Sequence, residues 1–265
     1  MHTLSELASD LTESKNILFL TGAGISVASG ISPFRGSDPD AVWNKDIMEK
    51  GTFAYFREDT LNSWIWYLDR FDGFTEKKPN SGHISLQGIE QWSRSWGKRF
   101  TLITQNIDTL HRKAGSKSLI EIHGRSDRVR CARTGCDFGE PGGSIPVSSV
   151  DFASFKKDPC WQNIPRCSLC RDYLRPHVLW FDEYYNAHED YGYEAALGSM
   201  YDAQSIVFVG TSFAVGVTEF AMQIAARTRA TMWAIDPVDP KDHRLRWING
   251  RSEEILPTLL AKLEA

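Results

Sequence analysis

Four cysteines, Cys131, Cys136, Cys167 and Cys170, stand as two close pairs separated by a stretch with turn residues. Each short knuckle aims two thiolates at one point, so the pairs together can wrap one tetrahedral zinc ion. Four thiolates fill every coordination position. Such a site builds structure and does not catalyse, which sends the search for chemistry elsewhere. The competing arrangement is two disulfides in a secreted protein. The knuckle spacing disfavours it, as does a polar stretch over residues 1–15 that lacks a signal-peptide pattern. Cys160 is left over, and a reducing, cytoplasmic compartment is expected.

A second feature lies near the N-terminus. Asn16-Ile-Leu-Phe-Leu-Thr21 reads as a buried strand running into Gly22-Ala23-Gly24. Glycines in that place let backbone N–H groups approach a pyrophosphate. Val27 occupies the place of the usual third glycine, so a plain strand-to-helix turn is the competing reading. Two more short apolar runs, 100–104 and 119–122, lead into Gln105-Asn106-Ile107-Asp108 and into His123-Gly124. An imidazole titrates near neutrality and suits general-base work, although a lone histidine at a strand end is more often a satisfied structural group.

These groups need elements to hold them. Leu4, Leu7, Ala8 and Leu11 recur at helical spacing, and helices are also predicted over 46–69, 83–96, 219–228 and 253–263. Residues 27–37 are punctuated by Gly, Ser and Pro and read as loop. Ser205-Ile-Val-Phe-Val-Gly-Thr211 and Thr231–Asp236 read as buried strands. The alternation implies an α/β fold, a mostly parallel sheet covered by helices on both faces. In such sheets ligands bind beyond the carboxyl ends of the strands, here Thr21, Thr104, Ile122, Thr211 and Asp236. Residues 125–174 show little periodicity and read as an insertion too small to fold well without metal.

The 265 residues are 42% apolar and 24% charged, with a net charge of −4. That suits one large domain, or one domain carrying an insertion. No basic tract marks a nucleic-acid footprint, and no stretch is long and apolar enough to span a membrane. Of the nine tryptophans, Trp43, Trp64, Trp66, Trp92 and Trp96 crowd the first half; core packing is the favoured reading and a lined pocket the sharper one. Oligomeric state is left open.

Further motifs accompany these in order: Gly22-Ala-Gly-Ile-Ser26, Ser29-Gly30-Ile31, Phe34-Arg35-Gly36, Pro79-Asn80-Ser81-Gly82-His83, Thr104-Gln-Asn-Ile-Asp108, Leu110-His111, Ala114-Gly115, His123-Gly124, Leu174-Arg175-Pro176, Trp180-Phe181 and Gly210-Thr211-Ser212. With the zinc cysteines, this series resembles the sirtuin family of NAD-dependent protein deacylases over essentially the whole chain. The resemblance implies a Rossmann-like NAD-binding domain formed by 1–36, 79–124 and 175–265. A helical insertion at 37–78 and a zinc-binding module at 125–174 would make up a small domain. By similarity Gly22, Ala23, Gly24 and Arg35 would meet the phosphates, and Phe34 would shield the ribose. Gln105, Asn106, Ile107 and Asp108 would line the nicotinamide and ribose pocket. Gly210, Thr211 and Ser212 would bind phosphate and the adenosine side, and Asp236 a ribose hydroxyl. His123 matches the family's general base, with Asn106 and Asp108 beside it. Val178-Leu179-Trp180-Phe181 matches the wall of the acyl-lysine tunnel. The partner implied is an acylated lysine in a protein or peptide. The products implied are free lysine, nicotinamide and O-acyl-ADP-ribose.

Departures from the family pattern leave alternatives open. Ser32-Pro33 stands where Pro-Asp is usual, Thr109 replaces a common glycine, and Asp182 replaces the glycine of Phe-Gly-Glu. An NAD glycohydrolase or ADP-ribosyltransferase on the same fold is therefore an alternative, and a non-catalytic NAD binder a more distant one. The lineage that removes succinyl and malonyl groups carries a Tyr and an Arg whose places fall on Asp40 and Trp43 here, so a neutral acyl group is expected.

Overall fold

A computed structural model of the chain describes residues 2–32, 45–213 and 216–265. Phe34 and Arg35 lie outside the described residues, as do Pro33, Asp40 and Trp43. Among the described residues the strands are β1 (Asn16–Thr21), β2 (Arg99–Thr104), β3 (Leu119–Glu121), β4 (Gly124–Cys131), β5 (Ile145–Pro146), β6 (Leu174–Val178), β7 (Ser205–Val209), β8 (Thr231–Asp236) and β9 (Arg246–Asn249).

Six strands form a parallel sheet in the order β3-β2-β1-β7-β8-β9. Successive side chains of a strand point to opposite faces, and here both faces are buried. Ile17 and Phe19 of β1, with Val207 and Val209 of β7, pack against Leu7, Leu11, Leu86, Ile89, Leu256 and Leu259. Leu18 and Leu20, with Ile206 and Phe208, pack against Met200, Ala221 and Ile224 on the other side. The helices Leu4–Glu13, Ser81–Ser95 and Ser252–Leu263 thus cover one face, and Tyr193–Asp202 and Gly216–Thr228 the other. The strand order reverses between β1 and β7. That makes a topological switch point, where the loops leaving adjacent strands diverge and leave a crevice for a ligand.

The predicted α/β architecture holds, with local differences. The chain after Gly22 forms a 3₁₀ helix, Ala23–Ser29, where a loop is predicted from residue 27; Gly30 ends it at φ 75°. The predicted helix over 46–69 is instead three, Lys45–Lys50, Phe53–Glu58 and Thr60–Phe71. Thr52 and Asp59 interrupt it, because each turns its side chain back to accept the N–H of Tyr55 or Asn62 as an N-cap. The helix Tyr193–Asp202 and the strand β9 carry too weak a pattern to be read beforehand. The former buries only Ala196 and Met200, and only Ile248 of β9 is buried.

A second, antiparallel sheet has the order β5-β4-β6. It backs onto an aromatic core that includes Trp64, Trp66, Tyr67, Phe71, Phe152 and Trp180 together with Cys131 and Cys167. Most of the tryptophans named are therefore core, whereas Trp96 is 71% exposed.

Glu183 ties this sheet to the segment after β6. It accepts from Arg130 Nη2 (3.0 Å), from Arg175 Nη1 (2.5 Å) and Nη2 (2.8 Å), and from the Trp180 backbone N–H (2.9 Å). Both guanidinium side chains are 1% exposed. Glu183→Ala would leave two buried cations short of their counter-charge. A loss of about 3–5 kcal/mol is expected, read as a fall in the denaturant midpoint at unchanged slope. An unshifted midpoint would mean that Glu140 compensates Arg130 and that the Val178 carbonyl suffices for Arg175.

Candidate active site

The crevice at the switch point is a cavity of about 1050 Å³. Its floor is where the turns leaving β1 and β7 touch. Gly22 N–H donates to the Val209 carbonyl (3.0 Å), and Gly24 N–H to the Gly210 carbonyl (2.8 Å). A Cβ on Gly24 would sit 2.6 Å from Gly210 Cα, and one on Gly22 would sit 2.7 Å from the Gly210 oxygen. Glycine at 22 and 24 is thus required by backbone packing of the two turns, and the absent third glycine is immaterial to that contact. Gly22, Ala23, Gly24, Gly210, Thr211 and Ser212 all line the cavity, as does Asp236 at the end of β8. The Asp236 carboxylate accepts the Val238 N–H (2.8 Å), and burial raises its pKa.

Gln105, Asn106 and Ile107 line the cavity beside them. Gln105 Nε2 donates to Thr211 Oγ1 (3.2 Å), which ties β2's loop to β7's. Asn106 Nδ2 donates to the Gly22 carbonyl (3.0 Å) and to Ser26 Oγ (3.2 Å). Asp108 is not brought to the cavity wall. It is 3% exposed, with its carboxylate accepting from Ser26 Oγ (2.7 Å) and from the Leu110 N–H (2.9 Å), and burial raises its pKa. It reaches the cavity only through Ser26 and Asn106. Thr109 holds φ 64°, a left-handed conformation in which glycine is the easier residue.

His123 lines the same cavity. Its Nδ1 lies 2.8 Å from the Gln105 carbonyl. A carbonyl only accepts, so Nδ1 carries the proton and Nε2 keeps its lone pair. Burial pushes the imidazole down to about 4, so the ring is neutral at pH 7 and free to take a proton. The predicted tunnel wall, Val178, Leu179, Trp180 and Phe181, also borders the cavity. It is fastened by the Leu179 N–H to the His123 carbonyl (2.9 Å) and the Phe181 N–H to the Gly51 carbonyl (3.0 Å).

Among the described residues, then, one cavity gathers the turn glycines, the amide pair, a neutral imidazole and an aromatic channel. A family model described as the Sir2 family matches residues 22–217. The chain belongs to the Sir2 family. It is 33% identical to the NAD-dependent deacetylase sir2E of Dictyostelium discoideum, over 97% of this chain and 76% of that protein. It also resembles a Sir2 homolog–NAD complex, with a TM-score of 0.79 and 30% identity over 99% of this chain and 94% of the other. A Sir2–p53 peptide–NAD+ structure aligns with a TM-score of 0.78 and 26% identity, over 98% of each chain.

Within this Sir2 chain the four cysteines converge as predicted. Cys131 Sγ lies 3.4 Å from Cys170 Sγ, and Cys136 Sγ 3.7 Å from Cys167 Sγ. All four sulfurs fall within 4.8 Å of one another. Thiolates about 2.3 Å from a tetrahedral zinc stand about 3.8 Å apart, so the cradle fits that ion. Burial raises the Cys131 thiol, and a divalent cation would supply the charge that lets such a packed set ionise. A second grouping, His177, His188 and Asp190, is a different case. His188 Nε2 lies 3.0 Å from the Gly143 carbonyl, and its Nδ1 accepts the Asp190 N–H (3.1 Å), so both nitrogens are spent on capping backbone.

Asp182, a departure from the family pattern, has a structural task. Its two carboxylate oxygens accept the N–H groups of Phe53 (2.7 Å) and Ala54 (2.9 Å) at the start of the helix Phe53–Glu58. His83 and His111 are buried, and His111 Nε2 sits 3.0 Å from Thr21 Oγ1 under the end of β1. Sequence reasoning offered a lined pocket as one reading for Trp66 but missed Tyr67 and Phe71 beside it, whose helical spacing looks the same for a core as for a pocket. It also missed Tyr185, although a tyrosine pair directly after Trp180-Phe181-Asp182-Glu183 was a signal.

Proposed function

We propose that this chain is an NAD-dependent protein lysine deacylase that transfers the acyl group to ADP-ribose and releases nicotinamide. One observation carries the reading: the glycine turns, the neutral His123 imidazole and the apolar segment 178–181 border a single cavity in a Sir2-family chain. NAD brings the ribose that accepts the acyl group. Ala23, Thr211 and Ser212 present backbone and hydroxyl groups to its phosphates and adenosine side, and Gly24 and Gly210, whose N–H groups are engaged by backbone carbonyls, allow its close approach. Phe34 and Arg35 belong to the same proposed set. Gln105, Asn106 and Ile107 wall the nicotinamide pocket, and Asp108 holds Asn106 in place through Ser26. Asp236 faces a ribose hydroxyl. Val178, Leu179, Trp180 and Phe181 take the alkyl stem of the acyl-lysine and keep water away. His123 Nε2 accepts the proton of the ribose hydroxyl that attacks the acyl carbon. Cys131, Cys136, Cys167 and Cys170 hold a structural zinc.

We further propose the division into the NAD-binding parts 1–36, 79–124 and 175–265, the helical insertion 37–78 and the zinc module 125–174. In support, every strand of the parallel sheet falls in the first set, while β6 (Leu174–Val178) straddles the last boundary. Among the described residues no helix is long and apolar enough to cross a membrane. A cytoplasmic setting is proposed because four unpaired thiols gathered round one point suit a reducing compartment.

The glycohydrolase or ADP-ribosyltransferase alternative loses one support, since Asp182 is engaged in capping a helix. The acyl group is proposed to be neutral. The wall formed by Val178, Leu179, Trp180 and Phe181 is apolar, so a carboxylated acyl chain would be stripped of water there. Nicotinamide release from NAD, measured with and without a panel of acyl-lysine peptides, tests both points. Strict dependence on peptide, with succinyl-lysine turned over at least about tenfold more slowly than acetyl-lysine, is expected; a desolvation cost of about 1.4 kcal/mol is enough for that factor. Release indifferent to peptide would overturn the deacylase reading in favour of NAD cleavage.

A further inference from the structure

Tyr185 lies outside every motif used so far, yet it makes a side-chain contact with the His123 imidazole. Its hydroxyl is 3.5 Å from His123 Nε2, and its ring stacks on the imidazole with centroids 5.8 Å apart and planes 24° from parallel. The phenol is itself held on three sides. The Val217 N–H donates to its oxygen (3.2 Å), its ring stacks on Tyr193 (5.8 Å, 12°), and the edge of Phe220 abuts it (6.2 Å, 72°).

The His123 ring needs such a contact. The Gln105 carbonyl fixes one edge of the imidazole through Nδ1–H, and that bond alone sets the tautomer without setting where Nε2 points. We propose that Tyr185 is a positioning residue for the base: its hydroxyl holds Nε2 towards the cavity before proton transfer and accepts the Nε2–H afterwards. The proposal rests on the reading of His123 as the base.

The hydrogen-bond inventory permits both roles. A phenol oxygen that accepts one amide N–H still has a proton to donate and a further lone pair. In the free enzyme the O–H donates to the Nε2 lone pair. During acyl transfer the Tyr185 O–H turns off the Nε2 lone pair, the ribose hydroxyl gives its proton to that lone pair, and the ribose oxygen keeps the electron pair that attacks the acyl carbon. The contact then reverses, with the imidazolium Nε2–H donating to the Tyr185 oxygen. Tyr185 neither gains nor loses a proton, and burial, which raises its pKa, keeps it a neutral phenol. The charged form of the contact is the stronger one, so the hydroxyl favours the proton-accepted state. A separation of 3.5 Å is long, as contacts of this kind often are before substrate closes the site.

Tyr185→Phe keeps the ring and its stacking and removes only the hydroxyl. In the zinc-loaded full chain with an acyl-lysine peptide, nicotinamide–NAD exchange reports the step before the base acts. Formation of O-acyl-ADP-ribose reports the step that needs it. Exchange within about twofold of wild type and acyl transfer lowered about tenfold are expected, the worth of one hydrogen bond to a charged group. The His123 Nε2 resonance in 15N spectra is also expected to move downfield in the variant as it loses a donor. Acyl transfer within twofold of wild type, or exchange and transfer falling together, would overturn the proposal. The wild-type protein gives a check that needs no variant: an Nε2 at the shift of a free imidazole acceptor also overturns it. His123→Ala separates the two readings. If it still transfers the acyl group, the base assignment fails; if it is inactive while Tyr185→Phe is normal, only Tyr185 fails.

Discussion

Replacing His123 with alanine is expected to lower O-acyl-ADP-ribose formation by about a thousandfold while NAD binding and nicotinamide exchange persist. General-base catalysis by a placed side chain contributes typically about 10²–10⁴-fold, and no other cavity group named above offers a free nitrogen lone pair. Binding should survive because the glycine turns contact each other through backbone, not through the imidazole. The pH dependence has a fixed sign. Burial holds the ring at about 4, so it stays a neutral base from pH 8 down to about 5 and loses that capacity only as the pH approaches 4. Two measurements check this: single-turnover acyl transfer by the variant, and the acid limb of wild-type kcat/KM. Retained acyl transfer would remove His123 from the mechanism, and an acid limb near 6.5 would show that the ring is hydrated in the free enzyme.

Losing the zinc is expected to be as damaging to the fold as losing His123 is to the chemistry. Cys167 is fully buried and shares a core with Cys131, Phe152, Phe155 and Trp64, so Cys167→Ser places a hydroxyl in an apolar setting and breaks the ligand set. Structural zinc sites in small peptides are worth about 10–16 kcal/mol, as much as the whole stability of a typical domain. The sheet β5-β4-β6 has only three strands to set against that, and although β4 has eight residues, β5 is two residues long. The variant should purify without stoichiometric zinc and be cleaved readily by protease within 125–174. Wild type treated with a strong chelator should behave the same way. A zinc-free variant that melts like wild type and turns over acyl-peptide would show that the cysteine cluster is dispensable.

Much of this was legible beforehand, and the reasons are local. Asn16–Thr21 and Thr231–Asp236 were readable as strands to the residue, because short, largely apolar runs bounded by turn residues leave one good option. The cysteine knuckles were readable because metal geometry restricts spacing tightly. The three-helix segment Lys45–Phe71 was blurred, since one apolar periodicity runs through its caps and only the side-chain hydrogen bonds of Thr52 and Asp59 divide it.

The sequence by itself determined which chemistry the chain can hold: four thiols for a metal, glycine turns after buried strands, and one histidine at a strand end. Those follow from residue type and neighbour, which a linear chain displays. Only the tertiary structure decided which of them meet. Gly24 packs on Gly210 across 186 positions (210 minus 24) because β1 and β7 are sheet neighbours. Asp108 withdraws from the cavity because Ser26 and the Leu110 amide take up its carboxylate. Tyr185 reaches His123 because β6 pairs with β4 and returns the following loop to the switch point. Contacts between residues so far apart depend on strand order and on which loop a hydrogen bond claims, and neither is written in the spacing of the residues that make them.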